Sequence, residues 1–79
     1  MAVIQLTQEN IEETINNNEI VVIDFWATWC GPCQAFKPVF EQASEKHADA
    51  TFASCNTEEQ TELASMFKIQ SIPTLVVFR

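Results

Sequence analysis

The chain has 79 residues, enough for one small domain of which folding buries only about two thirds of the unfolded surface. With 47% hydrophobic and 19% charged residues, its composition excludes a disordered polymer. Eleven acidic residues against four basic ones give a net charge of −7, which weighs against nucleic acid or an anionic membrane as partner and reads as a solvated acidic surface.

No stretch approaches the roughly 20 apolar residues of a membrane span. Met1–Leu6 carries neither the basic cluster nor the long apolar core of a secretory signal. Three cysteines, an odd number, do not suggest a secreted disulfide framework, so a reducing compartment, the cytoplasm, is expected. With no repeat, no low-complexity tract and a single glycine, one domain over residues 1–79 is expected.

Val3 to Leu6 reads as a short first strand. Thr7 follows as the expected N-cap of a first helix, with Leu6 and Ile11 as a hydrophobic staple and Ile11 and Ile15 on its inner face. Asn16-Asn17-Asn18 ends that helix. Glu19 to Phe25 is apolar on both faces apart from Asp24, the pattern of a central parallel strand. A second helix is expected from near Cys30 to about His47. Phe36, Val39, Phe40 and Ala43 fall at the spacing of its apolar stripe, Pro32 lies in its first turn, and Pro38 lies within it. Thr51 to Asn56 is a third strand. Thr57-Glu58-Glu59-Gln60 has the form of a capping box opening a third helix, with Leu63, Ala64 and Phe67 inward. After the Lys68–Ile72 loop and Pro73, Thr74 to Phe78 is a fourth strand. The order β-α-β-α-β-α-β predicts an α/β fold with helices on both faces of a sheet, and right-handed crossovers make the first three strands parallel.

The chemistry concentrates at Trp29-Cys30-Gly31-Pro32-Cys33, where a buried strand ends and a helix begins. Two cysteines at this spacing can close a disulfide within one helical turn. The unpaired N–H groups and partial positive charge of a helix N-terminus favour a thiolate, the reactive form of cysteine. The same spacing serves zinc and haem sites. Zinc, however, needs four ligands, and only Cys55 on the third strand and His47 at the far end of the second helix remain, so no metal site is expected. Cys55 reads as a small core residue and His47 as a favourable charge near a helix C-terminus.

Phe25-Trp26-Ala27-Thr28-Trp29-Cys30-Gly31-Pro32-Cys33, followed by Ile72-Pro73-Thr74, resembles the thioredoxin family, in register from about Val3 to Arg79. The resemblance implies a thioredoxin-like α/β/α sandwich whose four-stranded mixed sheet has order 1-3-2-4, the fourth strand antiparallel to the second. The family's fifth strand and last helix are lacking. It implies a thiol-disulfide oxidoreductase that reduces protein disulfides, with no bound cofactor beyond the Cys30–Cys33 disulfide, recharged by a separate reductase. Cys30 would be the attacking nucleophile and the more exposed of the pair, and Cys33 the resolving cysteine. Asp24 would accept the Cys33 proton, although Ser54 stands where family members often carry a Lys on the third strand. Pro73 matches the family's cis-proline, with the Ile72 backbone pairing to an extended substrate segment. Trp29 would be an apolar landing surface, Trp26 core beneath the motif, and Gly31 and Pro32 would permit a tight turn and close approach of a target. Lys37, one turn past Cys33, adds positive potential or is simply solvated.

Because the fourth strand would present an apolar edge, a second copy is expected to cover it, or the chain is a fragment of a longer protein. The rival functions are a truncated interaction module with little turnover and a metal-binding module.

Overall fold

The computed structural model describes residues 3–79. In chain order the elements are β1 (Val3–Gln5), α1 (Ile11–Asn16), β2 (Val21–Trp26), α2 (Gly31–Lys46), β3 (Thr51–Asn56), α3 (Thr61–Met66) and β4 (Thr74–Phe78). The four strands form one mixed sheet of order β1-β3-β2-β4, with β1 and β2 each parallel to β3 and β4 antiparallel to β2. This is the order and strand direction that the resemblance implies.

The apolar character of β2 on both faces is used on both faces. Val21, Ile23 and Phe25 are fully buried and join Leu6, Ala53, Cys55 and Leu63 in the main core, against which Ile11 of α1 and Phe67 pack. The opposite face receives α2, whose Phe40 packs on Phe52 with ring centroids 5.2 Å apart. Register places Gln5, Ser54, Asp24 and Leu75 in one row across this second face. The stripe expected on α2 is only partly covered. Phe40 is buried, Val39 is exposed, and Leu75 and Val77 of the edge strand β4 are exposed as well.

The expected caps fare differently. α1 starts at Ile11 with Asn10 at its N-cap position, and Thr7 heads the turn before it. The Thr7 N–H donates to Asn10 Oδ1 at 2.8 Å, the Thr7 hydroxyl accepts from the Asn10 N–H at 3.3 Å and the Thr7 carbonyl accepts from the Ile11 N–H at 3.0 Å, the reciprocal bonding of a capping box set one turn early. α3 starts at Thr61 with Gln60 as N-cap. The Thr57 hydroxyl donates instead to the Trp26 carbonyl at 3.0 Å, a partner 31 residues away, and the Gln60 side chain accepts the Gln8 N–H at 3.2 Å. A threonine captured by tertiary structure is no longer free to cap its own helix.

Candidate active site

β2 ends at Trp26 and the chain reverses in a turn closed by the Cys30 N–H donating to the Ala27 carbonyl at 3.3 Å. This turn delivers Cys30 to the N-cap of α2 in an extended conformation, φ −90° and ψ 108°. Pro32 occupies the first turn, where its missing N–H leaves nothing unpaired. Cys30 and Cys33 form a disulfide with Cα atoms 5.2 Å apart. The Cys33 N–H donates to Cys30 Sγ at 3.2 Å, so the sulfur takes the acceptor role that an N-cap oxygen ordinarily fills. On reduction the same N–H and the helix dipole favour negative charge on Cys30.

Four of the other predicted residues gather here. Trp29 is 72% exposed beside the disulfide, whereas Trp26 packs against the small cluster of Ala27, Cys30 and Cys33. Ile72 packs on the same cluster, its carbonyl oxygen 3.9 Å from Cys30 Sγ, and the Ile72–Pro73 peptide is cis. Trp29 and Ile72, which flank Cys30, line an open groove with Thr57, Ala64 and Ile69.

Two expectations need correction. Cys30 and Cys33 are 4% and 3% exposed, so in this oxidised form both are buried nearly equally and the first is barely the more open: Ile72, 42 residues onward, packs against it. Gly31 is not required by the backbone, since its φ is not positive and an added Cβ would meet nothing within 4 Å. That open space is compatible with close approach of a target.

Asp24, 5% exposed, shares a cavity of about 100 Å³ with Cys33, Trp26, Ser54 and Lys37. Its Oδ1 is buried without a hydrogen-bond partner, although Ser54 lies opposite in register. Burial pushes the carboxyl from 3.8 up to about 6. Lys37 is itself exposed, at the rim of this cavity. Cys55 is fully buried on the other face, its thiol pushed up to about 11 by burial, and His47 caps the far end of α2. Among the described residues, no three His, Cys, Asp or Glu side chains gather as a metal site would require.

One pair near the site is invisible to local pattern. Glu58, just after β3, accepts from Thr28, two residues before Cys30, through both the N–H at 2.9 Å and the hydroxyl at 2.6 Å. Their separation of 30 positions leaves no spacing signal; only the parallel pairing of β2 and β3 brings them together.

With this geometry established, comparison with known proteins is decisive. The thioredoxin family model matches residues 2–79. The chain belongs to the thioredoxin family. A thioredoxin of Alicyclobacillus acidocaldarius is 46% identical over 79 residues, covering 99% of this chain and 75% of that protein. A Streptomyces coelicolor relative is 53% identical over 76 residues, covering 96% of this chain and 57% of that protein. Among solved structures, a Plasmodium falciparum thioredoxin superposes with TM-score 0.92 at 32% identity, covering 96% of this chain and 76% of that one. Thioredoxin-family proteins act on disulfides and are recharged by a reductase, and the Cys30–Cys33 pair is the element of this chain suited to that exchange.

Proposed function

We propose that this chain is a thiol-disulfide oxidoreductase that reduces disulfides in other proteins by dithiol exchange. The observation that carries the reading is a Cys30–Cys33 disulfide at the N-cap of α2, facing the Ile72–Pro73 segment. In the reduced chain the Cys30 thiolate attacks one sulfur of a target disulfide. A Cys30–target mixed disulfide forms and one target thiolate leaves. Cys33 gives its proton to Asp24, which lines the same cavity, and the resulting thiolate attacks Cys30 Sγ. The second target thiolate leaves, the Cys30–Cys33 disulfide closes, and two electrons have passed to the target. The Ile72 backbone pairs with the extended target segment, Pro73 holds that backbone, and Trp29, Gly31 and Pro32 supply the landing surface.

The electrons return from a separate reductase of the thioredoxin-reductase type, with no bound cofactor in the cycle. The odd cysteine count and the free thiol of Cys55 support a reducing compartment, the cytoplasm. The exposed Leu75 and Val77 support pairing of a second copy along β4, which sedimentation at graded concentration tests.

The primary test equilibrates the chain in glutathione buffers of graded potential and follows Trp26 and Trp29 fluorescence. A reversible two-electron transition below the glutathione potential, with turnover lost in Cys30→Ser, is expected. Absence of a reversible transition overturns the reading in favour of an interaction module.

A further inference from the structure

The turn that delivers the nucleophile is gripped from outside. In the Ala27–Cys30 turn, Thr28 occupies the second position, and its N–H takes no part in the closing hydrogen bond. Glu58 receives that N–H and the Thr28 hydroxyl on a single carboxylate oxygen, Oε1. Glu58 is itself placed, because its N–H donates to Asn56 Oδ1 at 2.8 Å. Its neighbour Thr57 donates both its N–H, at 2.8 Å, and its hydroxyl to the Trp26 carbonyl. Residues 56–58 therefore hold residues 26–28 through donors and acceptors in both directions. The Thr28 bonds also hold the Glu58 carboxyl below its ordinary value, so the acceptor is ionised at neutral pH.

The turn's start is anchored by the buried Ala27, but on Thr28 itself the one other side-chain bond is a long one, from Gln34 Nε2 to its carbonyl at 3.5 Å. Trp29, the turn's third residue, is the most exposed large apolar group among the described residues. We propose that Glu58 is a positioning residue: through Thr28 it fixes the turn that presents Trp29, and so governs how well the chain engages protein disulfides without touching either sulfur. The inference rests on the oxidoreductase reading. A protein target must seat on Trp29 while its disulfide meets Cys30, whereas a small disulfide needs Cys30 alone. Misorientation of the turn costs the first and spares the second.

The experiment compares the reduced wild-type chain with Glu58→Ala, Glu58→Gln and Thr28→Val. Each is assayed on a protein disulfide, insulin, and on a small aromatic disulfide, 5,5′-dithiobis(2-nitrobenzoate). For Glu58→Ala we expect kcat/KM on insulin to fall roughly three- to tenfold while the small-disulfide rate stays within about twofold. Glu58→Gln, whose amide oxygen can accept both Thr28 donors, restores most of the insulin rate. Thr28→Val keeps the amide donor and loses the hydroxyl, giving a smaller loss in the same direction and a test independent of any folding defect in Glu58→Ala. Equal rates for wild type and Glu58→Ala on both substrates overturn the inference and leave the oxidoreductase reading intact. So does a proportional loss on both, or a Glu58→Gln no better than Glu58→Ala. A wild-type chain that reduces neither substrate overturns the oxidoreductase reading itself, and the inference with it.

Discussion

Asp24 and Cys33 line one cavity, and the carboxylate oxygen Oδ1 of Asp24 is buried there without a partner. An unpaired buried carboxylate is unfavourable when ionised, and here burial raises its pKa from 3.8 to about 6. The folded chain therefore binds this proton more tightly than the unfolded chain, so this group makes stability fall as pH rises from about 4 to about 6 and levels off above that. Asp24→Asn is expected to stabilise the chain by about 3 kcal/mol at pH 7 and to lose that advantage below about pH 4. Urea unfolding at the two pH values checks the sign; equal midpoints at pH 7 would refute it. The same variant should slow release of the mixed disulfide, because Cys33 loses its nearby base. Lys37 and Glu41, the other charged groups on the cavity wall, remain in place as controls.

Dividing the exchange between two cysteines predicts different failures for each. Cys30→Ser is expected to abolish turnover, by at least about a hundredfold, since no nucleophile remains at the N-cap. Cys33→Ser keeps the attack but not the resolution, and should accumulate a covalent complex with a disulfide-containing target. Non-reducing electrophoresis and intact mass detect the adduct, which a reducing agent must dissolve.

Cys55 should be silent in all of this. It is fully buried and its thiol is pushed up to about 11, so only about one part in ten thousand is thiolate at neutral pH. Thiol titration of the oxidised chain with an alkylating reagent is expected to find no reactive group when folded and one per chain in denaturant. Rapid labelling of the folded chain would show that the strand opens more readily than its burial implies.

Gly31 separates folding from recognition. An added Cβ meets no atom within 4 Å, and alanine favours a helix start over glycine by up to about 1 kcal/mol. Gly31→Ala should unfold at an equal or slightly higher temperature while reducing a protein disulfide more slowly, because the methyl group occupies space left for the target backbone. Thermal melts and turnover on the same preparation decide between this and a purely structural role.

What the sequence made legible follows the range of the interactions concerned. The apolar run before Asp24 located the central strand, the bounds of Thr51–Asn56 and Thr74–Phe78 match the structure, and the cysteine motif marked the start of the second helix. Thr7 does exchange capping bonds with Asn10, in the turn before α1, whereas the Thr57 hydroxyl, with the same chemistry, goes to Trp26. The similar burial of Cys30 and Cys33 depends on Ile72, and the grip on Thr28 depends on Glu58; neither partner lies within one element of the motif. Asp24 stood out in an apolar strand, but that Ser54 leaves its Oδ1 unbonded could be seen only in the assembled sheet.

β2 pairs over Val21–Trp26 with β3 on one side and over Val21–Phe25 with β4 on the other, and the redox turn is its direct continuation. Amide hydrogens of Val21–Phe25 should then exchange with solvent only on global opening, while β4 and α1 exchange through smaller fluctuations. The dithiol is thus mounted on the last part of the molecule to come apart. Fraying at the sheet margin can proceed, and can expose the chain to proteases there, before the spacing of the two sulfurs is disturbed.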